Sequence, residues 1–125
     1  MNLIIGSHVS YNNKSQLLGS VKEALSYKAN TFMFYTGAPQ NTNRSVIEDS
    51  LTMEAYKLMK ENNIALEKVI VHAPYIVNLA NFNNFDFSVS FLINEVERCS
   101  TLGIKYLVLH QDQQLIVLEK KLLII

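Results

Sequence analysis

A regular alternation along the chain constrains the fold more than any other feature of the sequence. Four short apolar runs predict β-strands, over residues 3–8, 30–35, 68–72 and 105–110. Between these runs, apolar residues recur at helical spacing. They predict three helices, over residues 15–28 and 51–62 and from Asp86 or Ser88 to a stop at Gly103. Strands that alternate with helices along a chain predict a parallel sheet.

Two α/β architectures fit this alternation: a small doubly wound sheet, or part of a (β/α)₈ barrel. The predicted strands lack polar alternation, as expected where helices cover both sides of a sheet or where strands line a barrel. A full barrel typically needs about 250 residues, whereas this chain has 125. Because 49% of the residues are apolar and 18% are charged, a packed core is expected. The chain has room for about half of a barrel.

Charge and cysteine content narrow the classes of protein to consider. The formal net charge is zero, which argues against a nonspecific nucleic-acid coat protein but not against an enzyme that grips DNA locally. Cys99 is the only cysteine, so an intramolecular disulfide is excluded. The N-terminus lacks the pattern of a secretory signal, and the apolar runs are shorter than the ~20 residues of a membrane span. We therefore expect a cytoplasmic protein.

Three histidines stand at the carboxyl ends of predicted strands: His8, His72 and His110. A single histidine in such a place is more often a hydrogen-bonded core or loop residue. Three at one edge favour a functional site, because that edge carries the site of parallel α/β proteins and imidazole is the commonest metal ligand. A catalytic zinc usually needs three protein ligands. Since the acidic residues fall mostly on predicted helices, the sequence predicts only a partial metal site.

Tyr75 and Ile76 directly follow the third predicted strand. They could pack locally within a loop, or form an apolar wedge of the kind that enters DNA base steps beside a flipped nucleotide. Cys99 lies on the apolar stripe of its predicted helix, which indicates a core residue rather than a nucleophile.

Four ordered blocks of sequence carry a resemblance to a known family. They are Gly-Ser-His-Val-Ser at 6–10, Phe-Tyr-Thr-Gly-Ala-Pro-Gln-Asn at 34–41, Val-His-Ala-Pro-Tyr-Ile-Val-Asn-Leu at 71–79, and Leu-Gly at 102–103 with Leu-Val-Leu-His at 107–110. In this order and spacing the chain resembles the N-terminal portion of the endonuclease IV family, over residues 2–110. The resemblance implies the N-terminal half of a (β/α)₈ barrel related to xylose isomerase, with about four parallel strands and intervening helices.

The resemblance also implies a chemistry. Members of the family bind three zinc ions at the carboxyl edge of the barrel and cut the DNA backbone 5′ to an abasic site. On matching positions, His72 and His110 are expected to be zinc ligands. His8 is expected to be their active-site neighbour and a DNA-binding residue.

Three further positions match residues that contact double-stranded DNA containing abasic sites: Gln40, Tyr75 and Ile76. The family often carries an arginine in its second loop. Here Asn41 stands near that place, so the sequence offers no clear candidate for the arginine contact. Intact members of the family are expected to be monomers.

The resemblance breaks immediately after His110. The family continues His-Pro-Gly, whereas residues 111–114 read Gln-Asp-Gln-Gln. We therefore expect a partial barrel domain over residues 1–110 and a divergent tail over residues 111–125. Loss of one cytosine from a His-Pro-Gly-Ser-Ala coding stretch would give this break, so an out-of-frame tail is our hypothesis. Half a barrel also leaves strand edges unpaired, which favours self-association.

Three functions remain open at this point. The first is a zinc-dependent phosphodiester hydrolase of DNA repair. The second is a truncated, non-catalytic fragment that binds DNA or a partner. The third is a sugar isomerase or epimerase of the same barrel superfamily. Because the matched ligands are incomplete, this chain alone is expected to lack abasic-site cleavage.

Overall fold

A computed structural model describes residues 3–75, 77, 85–111, 114–119 and 122–124. The six strands are β1 (Gly6–His8), β2 (Thr31–Phe34), β3 (Ile70–His72), β4 (Tyr106–Gln111), β5 (Gln114–Glu119) and β6 (Leu122–Ile124). The helices are α1 (Gln16–Ser26), α2 (Asp49–Glu61) and α3 (Phe85–Leu102), with a 3₁₀ turn at Leu66–Lys68. None of the helices in these ranges is long and apolar enough to cross a membrane.

The strands form one sheet in the order in which they occur along the chain. The pairings of β1 with β2, β2 with β3 and β3 with β4 are all parallel. Parallel neighbours need a long crossover, and α1, α2 and α3 provide it in turn. The predicted α/β class, with four parallel strands and intervening helices, is confirmed.

The first strand is shorter than the sequence predicts, since it begins at Gly6 rather than at residue 3. The Asn30 side chain explains the difference. Its Oδ1 accepts the Ile5 N–H at 2.7 Å and its Nδ2 donates to the Leu3 carbonyl at 2.8 Å. A side-chain amide therefore satisfies the backbone groups that a longer strand would pair.

One face of the sheet carries the core. Phe32 and Phe34 of β2, Val71 of β3, and Leu107 and Leu109 of β4 are all buried. They pack into the core together with apolar residues of the three helices: Leu17, Val21, Ala24, Ala55, Met59, Phe91, Cys99 and Leu102. The opposite face is only half-buried at Met33, Ile70 and Tyr106. This half-covered face corresponds to the inner face of a barrel.

Gly103 ends α3, as the sequence predicts. Its φ of +78° lies in the left-handed region, where a side chain is strained. A Cβ there would also come within 2.5 Å of the Tyr56 hydroxyl oxygen, which donates a hydrogen bond to the Leu102 carbonyl at 2.5 Å. Glycine is required here on both grounds.

The last two strands reverse direction. β5 pairs antiparallel with β4 along its whole length, from Tyr106↔Glu119 to Gln111↔Gln114, and β6 pairs antiparallel with β5. No strand was predicted for residues 111–125. β5 covers the outer edge of β4, where the next parallel strand of a barrel would pair, and among the described residues β1 and β6 form the edges of the sheet.

Candidate active site

Three aromatic rings lie in a row at the carboxyl edge of the first three strands. The ring centroids of His8 and Tyr35 are 4.7 Å apart in an edge-to-face arrangement, and those of Tyr35 and His72 are 5.2 Å apart. The register explains the row. Met33 pairs with both His8 and Ile70, so Tyr35 and His72 stand two residues further along neighbouring strands. The structure thus brings His8 and His72 to one edge, with Tyr35 between them.

The His72 ring is fixed by its own backbone neighbour. Its Nδ1 lies 2.6 Å from the Ala73 carbonyl oxygen. Because a carbonyl can only accept, Nδ1 is the donor of this hydrogen bond, and in the neutral imidazole Nε2 is then the nitrogen that carries the lone pair. This carbonyl–histidine arrangement is the one that usually orients a metal-ligating imidazole.

The second predicted ligand, His110, lies on β4 two residues beyond Val108, which is the register partner of His72. The His110 side chain lies outside the described residues. Within the described ranges, no group of three His, Cys, Asp or Glu residues is close enough together to hold a metal ion. The described residues alone therefore do not make up a zinc site.

A cavity of about 620 Å³ opens beside the ring row. Its walls come from the segment after β1 (residues 8–13), from Tyr35, and from the loop after β2 at Gly37, Ala38, Pro39, Asn41 and Asn43. We call residues 36–45 the β2–α2 loop. This cavity is large enough for a small ligand or one nucleotide-sized group.

The predicted DNA contacts lie around this edge. Gln40 is exposed on the β2–α2 loop, and Tyr75 is 65% exposed just beyond β3. Ile76 lies outside the described residues. Exposure allows Gln40 and Tyr75 to reach a ligand, and their assignment to DNA stays a prediction.

A buried ionic network, which was not predicted from the sequence, lies under the β2–α2 loop. Arg44 Nε donates to Glu95 Oε1 at 2.6 Å, and the two side chains are 6% and 0% exposed. Glu95 is one of the acidic residues on the predicted helices, for which the sequence predicts no place at the metal site. Glu95 follows buried Phe91 and precedes buried Cys99 at four-residue spacing, so its place on the apolar stripe could have revealed its burial.

The network also bears on the missing arginine contact. Arg44 lies three residues beyond Asn41 on the same loop, but its guanidinium is turned inward to Glu95. It is therefore not an exposed DNA contact in this structure.

Cys99 is a core residue, as predicted. Burial raises the pKa of its thiol to about 12, and the neighbouring Glu95 carboxylate acts in the same direction. The thiol thus stays protonated at neutral pH and is a poor nucleophile.

Comparison with known proteins agrees with the fold and with the resemblance. No protein-family model matches the chain. A probable endonuclease 4 of Mesoplasma florum is 50% identical over 119 residues, which are 90% of this chain and 41% of that protein. A probable endonuclease 4 of Bacillus subtilis is 54% identical over 112 residues, 86% of this chain and 37% of that protein. The crystal structure of endonuclease IV from Thermus thermophilus superposes with a TM-score of 0.71 at 24% identity, over 85% of this chain and 40% of that one.

The parallel βα units, whose strands follow one another in chain order across the sheet, place the chain in the (β/α)-barrel class. Across about nine tenths of its length, the chain is a homologue of proteins named probable endonuclease 4. It spans about two fifths of the length of the relatives it matches.

Proposed function

We propose that this chain forms part of a DNA-repair endonuclease that hydrolyses the phosphodiester 5′ to an abasic site. The observation that carries the proposal is the ring row of His8, Tyr35 and His72, within a segment about 50% identical to proteins named probable endonuclease 4. The same names weigh against the sugar isomerase or epimerase alternative.

Zinc is the proposed metal, with three ions in the intact family. When bound, zinc would activate water and stabilise charge on phosphate oxygens. In this chain, His72 and His110 are the proposed ligands. The Ala73 carbonyl would keep the His72 imidazole in the tautomer that presents Nε2. Two histidines are fewer ligands than one catalytic zinc usually requires.

The proposed DNA contacts follow from position at the same edge. Gln40 would donate or accept hydrogen bonds at the rim of the cavity, and His8 lines its wall. Tyr75, with Ile76 as its proposed partner, would stack against bases or fill the gap that a missing base leaves. A site without a base is the cheapest place to open a duplex, which would give selectivity for abasic DNA.

A second candidate function is a fragment that binds abasic DNA without cutting it. It is supported by the share of the relatives that the chain spans, about two fifths. We propose that the 125-residue chain alone behaves in this way, as a partial barrel domain over residues 1–110 with a divergent tail over residues 111–125. The nucleotide sequence after the His110 codon would test the frameshift hypothesis for that tail.

Two measurements with one labelled duplex test these proposals. The duplex carries a tetrahydrofuran abasic analogue, and the matched control duplex is undamaged. We expect the chain to bind the abasic duplex more tightly and, with zinc added, to leave it uncut. Specific incision that is lost in His72→Ala and His110→Ala would refute the non-catalytic candidate, whereas equal affinity for the two duplexes would refute abasic recognition.

A pair of tyrosines gives a matched control for the proposed contact. Tyr75 is 65% exposed at the carboxyl edge, and Tyr27 is 60% exposed at the end of α1, ahead of β2. We expect Tyr75→Ala to weaken binding of the abasic duplex roughly tenfold through lost stacking, and Tyr27→Ala to leave it unchanged. Equal effects of the two substitutions would contradict the assignment of Tyr75.

A further inference from the structure

The β2–α2 loop is wrapped around the guanidinium of one of its own residues. Arg44 Nη1 donates to the carbonyls of Ala38 at 3.2 Å, Asn41 at 3.2 Å and Asn43 at 2.7 Å. The fit is close, because a Cβ added to Gly37 would lie 2.6 Å from Nη1. The path of the loop backbone from 37 to 43 is therefore set by a buried cation.

Two residues of helix α3 contact the Arg44 guanidinium. Glu95 accepts the Arg44 Nε hydrogen bond at 2.6 Å, and the Phe91 ring lies 4.9 Å from the Arg44 guanidinium carbon. Both α3 residues are buried. The loop is thus fixed to a helix that comes about 50 residues later in the chain.

A second arginine, which lies on α3, binds the two ends of the loop. Arg98 donates to the Thr36 hydroxyl at 3.0 Å, to the Thr36 carbonyl at 2.9 Å, and to the Ser45 carbonyl at 2.6 Å. The Thr36 hydroxyl in turn donates to Glu95 Oε2 at 2.6 Å. Arg98 therefore binds the start and the end of the loop directly. Glu95 binds Arg44, which in turn binds the middle of the loop.

This network is poorly suited to stability alone. It buries two guanidinium cations against one carboxylate, and Nη2 of Arg44 has no hydrogen-bond partner among the described residues. Apolar side chains of similar volume usually stabilise a core as well as a buried ion pair does, or better. A polar network does, however, specify one backbone path, because carbonyls pointing elsewhere would lose their donors.

We propose that Arg44, Glu95 and Arg98 are positioning residues that hold the β2–α2 loop in its ligand-binding shape. The loop forms one wall of the 620 Å³ cavity, and Gln40 is exposed between Pro39 and Asn41, which both line that wall. Only the part of this inference that concerns DNA binding rests on the proposed function, because the shape of the loop can be measured without DNA.

The first arm measures the loop itself by hydrogen exchange of backbone amides. In the loop, the Asn41 amide donates to the Ala38 carbonyl and the Asn43 amide to Asn41 Oδ1. In the sheet, the Ala73 amide donates to the Val108 carbonyl and serves as the reference. A loss of global stability speeds exchange at the Ala73 amide in the sheet, whereas a loss of loop positioning speeds exchange at the two loop amides selectively.

The informative variant combines Arg44→Met with Glu95→Gln. It removes both members of the ion pair and keeps a hydrogen-bond acceptor for Thr36. The buried net charge is then that of Arg98 alone, the same as in the wild type. We expect the two loop amides to exchange at least about tenfold faster while the Ala73 amide stays near its wild-type rate. Arg44→Lys, which keeps a buried donor cation, should give an intermediate rate. Loop exchange within about twofold of wild type in the double variant would overturn the proposal.

The second arm measures affinity for the tetrahydrofuran duplex. We expect the double variant to lose about as much affinity as Gln40→Ala, and the two changes together to lose no more than either alone. Additive losses would overturn the link between network and contact residue. If the wild-type chain does not prefer the abasic duplex, the proposed function fails, and the exchange arm still decides whether the network positions the loop.

Discussion

Replacing Glu95 by glutamine removes the only carboxylate of the buried network while keeping its shape. The carboxylate accepts two hydrogen bonds of 2.6 Å, from Arg44 Nε and from the Thr36 hydroxyl, and it is fully buried. Removing one partner of a buried ion pair costs about 3–5 kcal/mol, because the other charge stays buried without compensation. The glutamine oxygen can still accept from Thr36, so we expect the lower end of that range, about 3 kcal/mol.

This loss can be measured by urea unfolding followed by far-ultraviolet circular dichroism. A chain of 125 residues is expected to have about 6–19 kcal/mol of unfolding free energy, so the variant should remain folded. With a slope of about 1–3 kcal/mol per molar urea, the midpoint should fall by about 1–3 M. The matched control is Glu97→Gln on the exposed side of the same helix, which should change stability by less than about 0.5 kcal/mol. If Glu95→Gln costs no more than this control, the network contributes no electrostatic stabilisation and our reasoning is wrong.

Three further outcomes follow from the structure. Gly103→Ala should destabilise the fold by about 1–2 kcal/mol or more, seen as a lower melting temperature, because it combines a φ of +78° with contact to the Tyr56 hydroxyl; an unchanged melting temperature would contradict this. Cys99, with a pKa of about 12, should resist a thiol reagent at pH 8 until urea unfolds the chain; rapid modification of the folded chain would show that it is not buried. The Ser10 N–H, which donates to Glu23, is the main cause of that carboxylate's lowered pKa. A lowered folded-state pKa gives stability that is present above the unfolded pKa, near 4.5, and lost as pH falls through the folded value. Glu23→Gln should therefore show a shallower loss of unfolding free energy below about pH 4.5 than wild type, and an equal slope would contradict the assignment.

The order of helices and strands could be predicted from the sequence because it depends on local spacing of apolar residues. The ends of the strands could not, and Asn30 shows why. Its side chain binds backbone groups at Leu3 and Ile5, more than 20 residues away, and apolar periodicity contains no information about such a contact. The β5–β6 hairpin was missed for another reason. The tail contains two apolar runs, but residues 119–121 between them lack the glycine or asparagine that marks a tight turn.

In the candidate site, too, some features could be predicted from the sequence and others could not. The positions of His8 and His72 at the carboxyl edge could be predicted, because a histidine at the end of a strand is visible in the local sequence and parallel pairing brings such ends together. The position of the Tyr35 ring between the two histidines could not be predicted without the strand register, because it depends on the pairing of Met33 with both neighbouring strands. The contact between Arg44 and Glu95 spans 51 residues, and neither residue has a local pattern that names the other.

The residues that meet a ligand and the residues that shape the site therefore come from different parts of the chain. The candidate contacts stand at strand ends and on one loop, whereas Glu95 and Arg98 on α3 determine how that loop runs. Leu102 of α3 packs into the core with the residues of the sheet. Glu95 and Arg98 of the same helix bind the loop, so these two charged side chains connect the loop to the core. It follows that a change on α3 can alter ligand binding without touching the ligand. A search for functional residues confined to the exposed carboxyl edge would miss both.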